Sequence, residues 1–351
     1  MKISRKMNKR AEVEIQFHWV FVIVAGFVIL GFFLFLVMKQ KGISEVKISS
    51  SIASDLKAIF TGAQVSSRTL NVVKIPATKI SFTCEKNQNV VYSVFTIGKR
   101  SEPIPSQVIF SPGEIETLKL YTWSYEWQVP FKVLNFLYLS TPRHRIILVE
   151  KKSIEGKRLC NFLNSTLPDQ MSKVYISDIA QTPLTQLPDQ NNNVETIVFC
   201  DFTSQEITNS ISYYPAQVET DTLVAISIKG DEKFGNIVFH QDGKDKFINP
   251  SQPIKYAGAA LLLGAIFSDN SLFYECNREK AIGRLRQVAL IYEEKTKQLA
   301  QNARAECIYS DSYTHFSKLK TTNDPAEITQ SASALSRINS ELQSKSCALI
   351  Y

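Results

Sequence analysis

One long apolar segment dominates the hydrophobic pattern of this 351-residue chain. Residues 17–38 are uncharged and mostly apolar, and His18, at the edge of the segment, is its only ionisable side chain. A helix of about 20 apolar residues spans the hydrocarbon core of a bilayer. The pattern therefore predicts a transmembrane helix over 17–38, preceded by a basic cytoplasmic stub over 1–16.

Basic residues flank this segment unequally. The cluster before it has no acidic residue within it and consists of Lys2, Arg5, Lys6, Lys9 and Arg10. The weaker cluster after it consists of Lys39, Lys41 and Lys47, with Glu45 among them. Because the more basic flank stays inside, we expect a cytoplasmic N-terminus and an extracytoplasmic remainder. No small-x-small cleavage pattern follows Met38, which favours an uncleaved signal anchor.

The pattern changes twice after the apolar segment. Apolar residues at helical spacing predict a juxtamembrane helix over 39–62, broken at Gly42 and ending near Gly62. Short β-branched and aromatic runs then predict a β-rich domain over 63–142. Its clearest strand is 121–129, where four aromatic side chains alternate with polar ones. Such a stripe could bind a sugar or a base, but we favour a place in the core because aromatic side chains bury large areas.

Strands and helices alternate over 143–253, which predicts an open α/β (Rossmann-like) sheet domain. Thr203 or Ser204 with Glu206 forms a capping signature at the start of one helix. A hairpin is expected across Asp242-Gly243, and a surface loop over 179–193.

The last region, 254–351, is predicted to be helical and to pack on the α/β domain. Its apolar stretch 254–267 is too short to span a bilayer. A heptad-like stripe over 276–306 and a second one after Pro325 predict an antiparallel helical hairpin. The expected fold class is therefore a mixture of α+β and α/β.

Six cysteines lie at positions 84, 160, 200, 276, 307 and 347, without a C-x-x-C pair. Their even number in a domain expected outside the cytoplasm favours disulfides. A continuous helix over 276–306 would hold Cys276 and Cys307 ~46 Å apart, which excludes a bridge between them. The antiparallel return of the hairpin would bring Cys347 toward Cys276, and we predict that disulfide.

Composition and motifs indicate little chemistry. The net charge is +7, and residues 1–10 carry +5 of it, so no broad basic surface is expected to bind nucleic acid. The common signatures of nucleotide-binding loops, zinc proteases and serine hydrolases are absent from the sequence. We therefore expect no cofactor. His144 and His240 are expected at the surface or at strand ends.

One constellation could bind a metal. Glu150, Asp178 and Asp201 each close a predicted strand. Ligands bind outside the carboxyl ends of strands in open α/β sheets, and converging carboxylates can hold a divalent cation. The alternative is that these residues only cap the helices that follow.

Three segments of the sequence are similar to those of other proteins. Residues 16–26, 122–142 and 264–281 resemble parts of an uncharacterised family of single-pass membrane proteins found in small-genome archaea. The resemblance implies no activity, but it supports the anchor and makes an archaeal envelope the expected setting.

These observations favour a membrane-anchored extracytoplasmic scaffold or protein-binding module without enzymatic activity. Its expected partners are the bilayer, through 17–38, and other envelope proteins, with the helical hairpin as the binding surface. One alternative is a membrane-tethered enzyme or metal-binding protein that uses the three carboxylates. Another is a pilin-like filament subunit, because the Lys9-Arg10-Ala11-Glu12 stretch resembles a leader-processing site cut after Ala11.

Overall fold

The structure is a computed structural model. It describes residues 9–63, 65–87, 90–98, 100–104, 107–180, 184, 194–210, 222–242, 247–248 and 250–351. In the first helix, side chains are described at 19–35 and 49–62.

Helix α1 (Lys9–Ala63) is continuous over 55 residues. The predicted break at Gly42 is therefore wrong, whereas the predicted end near Gly62 is confirmed. The described side chains between Trp19 and Phe35 are almost all exposed. In the part of the chain that the structure describes, no helix combines the length and the apolar character needed to cross a membrane.

The predicted β-rich region forms a six-stranded sheet with strand order β3-β2-β1-β5-β6-β4. Its pairings are antiparallel except that β4 runs parallel to β6. The strands are β1 (Leu70–Asn87), β2 (Val90–Ile97), β3 (Arg100–Ile104), β4 (Ile109–Phe110), β5 (Glu114–Gln128) and β6 (Lys132–Ser140).

Both faces of this first sheet are covered. Leu56 and Phe60 of α1 are buried against one face, where the rings of Phe60 and Phe95 lie 5.7 Å apart. Trp123 and Trp127 of β5 are buried on the other face, in the largest core of the molecule. The expectation that the aromatic stripe belongs to the core is confirmed for these two tryptophans.

The α/β region forms a second sheet, with strand order β12-β11-β10-β9-β7-β8 and with β13 also paired to β11. The pairings among β7 to β10 are parallel, and β11 runs antiparallel to its neighbours. The strands are β7 (His144–Glu150), β8 (Ser172–Ile176), β9 (Val194–Cys200), β10 (Thr222–Gly230), β11 (Phe234–Asp242), β12 (Phe247–Ile248) and β13 (Ile254–Ala257).

Helices cover both faces of this second sheet, as an open α/β sheet requires. Leu159 and Leu163 of α2 (Ile154–Thr166) join the largest core. Ile207 of α3 (Ser204–Ser210) packs in a separate cluster on the opposite face. The predicted hairpin is confirmed by the antiparallel pairing of β11 with β12, although its turn lies outside the described residues. The predicted loop over 179–193 falls mostly outside them as well.

The C-terminal region differs from the prediction at its start. Residues 254–257 form strand β13, not a helix, and α4 (Ala259–Ile266) begins only after Gly258. Gly258 has φ of 86°, and a Cβ there would lie 3.1 Å from Trp127 Nε1. This backbone conformation favours glycine and separates the strand from the helix. The expected packing of α4 on the sheet is confirmed by its contacts with β11 and β13.

The predicted helical hairpin is wrong. Helix α6 (Asp311–Thr321) lies between α5 (Ser271–Gln301) and α7 (Pro325–Ser344) and packs against both. Its Phe316 and Leu319 are fully buried, so this helix fills the space that the hairpin model assigned to direct contact. The apolar stripes of α5 and α7 belong to the largest core, so they do not form a free surface for a partner.

All six cysteines form disulfides, which join Cys84 to Cys276, Cys160 to Cys200 and Cys307 to Cys347. The predicted Cys276–Cys347 bridge is wrong, because β1 rather than the end of α7 runs beside the start of α5. Three disulfides are consistent with an oxidising, extracytoplasmic location.

Candidate functional site

The carboxyl edge of the second sheet is the position where an open α/β fold binds ligands. Strand order reverses between β7 and β9, because the chain continues from β7 to β8 on one side and returns to β9 on the other. Such a switch point opens a crevice beyond the strand ends. Here the ends of β7 and β9 are joined by a hydrogen bond from Lys151 N to Cys200 O (3.4 Å).

The three carboxylates predicted at this edge have separate partners. Glu150 accepts a hydrogen bond from the Tyr175 hydroxyl, and Asp178 pairs with Lys152 at 2.7 Å. Asp201 accepts a hydrogen bond from Ser153 Oγ at 2.8 Å. Among the described residues, no group of three histidine, cysteine or acidic side chains is placed to hold a metal ion. This corrects the expectation of a metal site formed by these carboxylates.

Asp201 stabilises the start of α2 through the N-cap residue Ser153. Its φ of 67° is left-handed, and its main-chain N–H donates to Ile228 O at 2.8 Å. Ser153 caps α2 by accepting a hydrogen bond from Gly156 N (2.9 Å) while it donates to Asp201. A Cβ on Gly156 would lie 2.7 Å from the Lys151 carbonyl oxygen. The start of α2 thus packs directly against the ends of β7 and β9, and the Ser153 hydroxyl has a structural role.

A second group at this edge is built on α3. Thr203 and Glu206 form the predicted capping box, with Thr203 N donating to Glu206 Oε2 at 2.8 Å and Glu206 N donating to Thr203 Oγ1 at 3.3 Å. Lys151 Nζ also donates to Glu206, at 2.8 Å. Lys151 and the Thr203 N–H lower the pKa of Glu206 to about 2. This carboxylate is therefore an ionised structural anchor at neutral pH.

A cavity of about 360 Å³ opens beside α2 at the same edge. Its lining combines both signs of charge, and two of the lining residues, Arg158 and Glu232, are paired at 3.0 Å. The lining residues are Glu155, Arg158, Leu159, Asp201, Lys229, Gly230, Asp231, Glu232 and Phe234. The charged side chains lie beside the apolar surface of Leu159 and Phe234, and the lining contains no nucleophile paired with a base.

A larger groove, of about 710 Å³, lies between the segment before β1 and the end of α2. Tyr125, from the aromatic stripe, is only partly buried and faces this groove. The guanidinium of Arg68 lies 5.4 Å from the centre of the Tyr125 ring, within cation–π range. The aromatic stripe is therefore divided between core packing and the wall of a groove.

His144 lies at a strand end, as predicted, whereas His240 lies within β11, and both side chains are buried. His144, at the first position of β7, is hydrogen-bonded to Ser140 (2.9 Å) and Thr196 (2.9 Å). His240 is hydrogen-bonded to Ser227 at 3.0 Å. Burial lowers the pKa of each imidazole to about 4. Both side chains are therefore neutral structural groups at physiological pH.

These histidines should make the fold acid-sensitive. In the unfolded chain the two imidazoles are protonated below their ordinary pKa of 6.5. In the folded chain they are protonated only below a pKa of about 4. The free energy of unfolding therefore has its full value above pH 6.5. As the pH is lowered from 6.5 to 4, it should decrease by up to about 3 kcal/mol per histidine. Urea unfolding of the full chain between pH 7 and about pH 4 measures this loss. A His144→Gln/His240→Gln variant should have a flatter profile, and equal slopes would contradict the assignment.

A buried Ser93–Lys280 pair was also missed by the sequence analysis. Lys280 Nζ donates to Ser93 Oγ (3.2 Å) and to Ile104 O (2.6 Å), and Ser93 donates to Asn277 Oδ1 (3.1 Å). Burial lowers the pKa of Lys280 to about 7. A serine beside such a lysine can be a nucleophile and base, but Ser93 is only 2% exposed under α5. The pair therefore fastens α5 to the first sheet and offers no route for a substrate.

No family model, curated protein or solved structure matches this chain.

Proposed function

We propose that this protein is a membrane-anchored extracytoplasmic scaffold that holds a disulfide-bonded folded region at a set distance from the bilayer. The observation that carries the proposal is the continuity of α1, from Lys9 to Ala63. One part of this helix contains the apolar segment 17–38, and another part is buried in the first sheet.

The apolar segment supports the anchor. Phe21, Phe27 and Phe32 are exposed by 73%, 72% and 59%, and a Cβ added at Gly26 or Gly31 would meet nothing within 4 Å. Large apolar side chains exposed to water are costly, and a lipid environment would remove that cost. The structure describes the side chains of this segment only at 19–35, but the sequence of 17–38 as a whole is long enough to span the hydrocarbon core as a helix.

The other part of α1 supports the scaffold function. Ile52, Ala53, Leu56 and Phe60 are buried against the first sheet. Since a helix rises 1.5 Å per residue, the 14 residues from Met38 to Ile52 would place that contact ~21 Å beyond the end of the apolar segment. A helix without an intervening loop transmits this spacing to the folded region.

Disulfides support the outward location. The three bonds use all six cysteines of the chain, and such bonds persist in oxidising compartments. The pairing of Glu150, Asp178 and Asp201 with neighbouring side chains favours a structural role over catalysis at the sheet edge. The archaeal setting stays a prediction from the resemblance.

Membrane attachment and sidedness provide the test. The full chain should remain in the membrane pellet after alkaline carbonate extraction, and protease added to intact cells should cleave the region after α1. An Ile29→Arg/Phe33→Arg variant should leave the pellet, since two central arginines oppose insertion by ~5–7 kcal/mol.

The matched control is Ile29→Ala/Phe33→Ala, which changes the same positions without adding charge and should stay in the pellet. A wild-type chain that is extracted by carbonate would contradict the anchor. A region that is protected in intact cells but cleaved after lysis would contradict the outward location.

A further inference from the structure

The sequence contains one Asn-x-Ser/Thr tripeptide in which x is not proline, Asn164-Ser165-Thr166. The tripeptide forms the last turn of α2, which ends at Thr166. Such a tripeptide is the acceptor for N-linked glycosylation in chains that pass out of the cytoplasm. One such tripeptide is expected by chance in a chain of this length, so its exposure and backbone conformation decide whether it can be an acceptor.

Asn164 lies on the solvent-facing side of α2. Lys157, Asn161 and Asn164 follow one another at helical spacing and are all exposed. The opposite side of the helix is buried in the largest core through Leu159 and Leu163. A glycan on Asn164 would extend into solvent without displacing any core side chain.

The local backbone also suits an acceptor. Leu167 leaves the helix in an extended conformation, with φ of −66° and ψ of 136°. Helix ends fray more readily than helix centres, so the acceptor tripeptide can leave the helical conformation at a low cost. The Asn164 carbonyl accepts a hydrogen bond from Lys173 Nζ (3.0 Å), a contact that modification of the side chain leaves in place.

We propose that Asn164 carries an N-linked glycan, an inference that rests on the extracytoplasmic location of the proposed function. The donor is an oligosaccharide attached to a lipid phosphate, and a membrane oligosaccharyltransferase catalyses the transfer. The side-chain amide nitrogen of Asn164 attacks the anomeric carbon of the first sugar. The bond from that carbon to the phosphate oxygen breaks, the lipid phosphate leaves with the electron pair, and the amide loses one proton to the transferase.

A glycan at this position limits where a partner can bind. A bulky hydrated group on α2 would keep other proteins away from the solvent-facing side of that helix. A protein partner of the scaffold would therefore have to bind a different face of the molecule.

Peptide mass spectrometry of the full chain, produced in a glycosylating host and purified from membranes, tests the inference. After reduction and trypsin digestion, the peptide over 159–173 should carry an added oligosaccharide mass. Thr166→Ala, which destroys the acceptor, should abolish that mass. Ser165→Ala is the matched control, because Asn-Ala-Thr is still an acceptor and should stay modified.

An Asn-Gly-Thr tag added after Tyr351 reports on transfer in the same molecule. A modified tag with an unmodified Asn164 would overturn the glycan and leave the outward location intact. The host is chosen as one that modifies this tag on another single-pass protein of the same orientation. If neither acceptor is modified in that host and external protease does not cleave the chain, the proposed function itself has failed. If protease does cleave it, the glycan alone is overturned.

Discussion

Replacing Cys84 and Cys276 together by serine is expected to lower the free energy of unfolding by about 5 kcal/mol. The two cysteines are 192 positions apart, so their bond restricts a very long loop of the unfolded chain. The bond also fastens β1 of the first sheet to the start of α5. Urea unfolding of the wild-type and Cys84→Ser/Cys276→Ser chains, both under non-reducing conditions, measures the difference.

This disulfide gives a cleaner test than the fully buried Cys160–Cys200 bond. Cys84 and Cys276 are only partly buried, so serine at these positions disturbs little packing, whereas Cys160 and Cys200 are inaccessible. The Cys307–Cys347 bond closes a loop of 40 positions and is expected to contribute about 4 kcal/mol. A Cys84→Ser/Cys276→Ser protein that loses less than the corresponding Cys307→Ser/Cys347→Ser protein would contradict the loop argument.

Substituting Arg145 by methionine is expected to cost about 3–5 kcal/mol. Arg145 of β7 and Glu195 of β9 are register partners in parallel strands and form a salt bridge, with side-chain exposures of 1% and 0%. Without the arginine, the buried Glu195 carboxylate would lose a positive charge in direct contact with it. Thermal or urea unfolding of Arg145→Met measures the cost.

The double variant Arg145→Met/Glu195→Leu measures the net contribution of the ion pair to stability, without the penalty of removing only one of two buried charges. Apolar side chains of similar size can replace a buried ion pair with little loss, so this variant should recover most of the stability. Arg337→Met is the matched surface control, since Arg337 pairs with Glu341 at 2.7 Å on an exposed helix face. Its cost should be only about 0.3–0.5 kcal/mol. Equal losses for Arg145→Met and Arg337→Met would contradict the role of burial.

Local patterns were sufficient for many elements of this fold. The aromatic alternation predicted β5, and the alternation of strands and helices over 143–253 predicted the α/β sheet. The Thr203–Glu206 capping box was also visible, because its two residues are only three positions apart. Each of these features depends on neighbours within one or two turns of the chain, so the sequence carries the information directly.

The candidate site was predictable only in part. The sequence placed Glu150, Asp178 and Asp201 at strand ends, but not their partners Tyr175, Lys152 and Ser153. These partners come from other strands and loops, and they use the carboxylates to hold the sheet edge together. The sequence allowed a strand end for His144, where the structure places it, but did not show that its side chain is buried and hydrogen-bonded to Ser140 and Thr196.

The apolar segment, the type of most secondary-structure elements and the alternation that builds the α/β sheet could be predicted from the chain alone, because these features depend on residues close together in it. The cysteine pairing, the place of α6 between α5 and α7, and the burial of His144 and the Arg145–Glu195 pair could not, because each requires segments distant in sequence to meet in one register. Cys84 meets Cys276 only because β1 lies beside α5, and Arg145 meets Glu195 only because β7 pairs with β9.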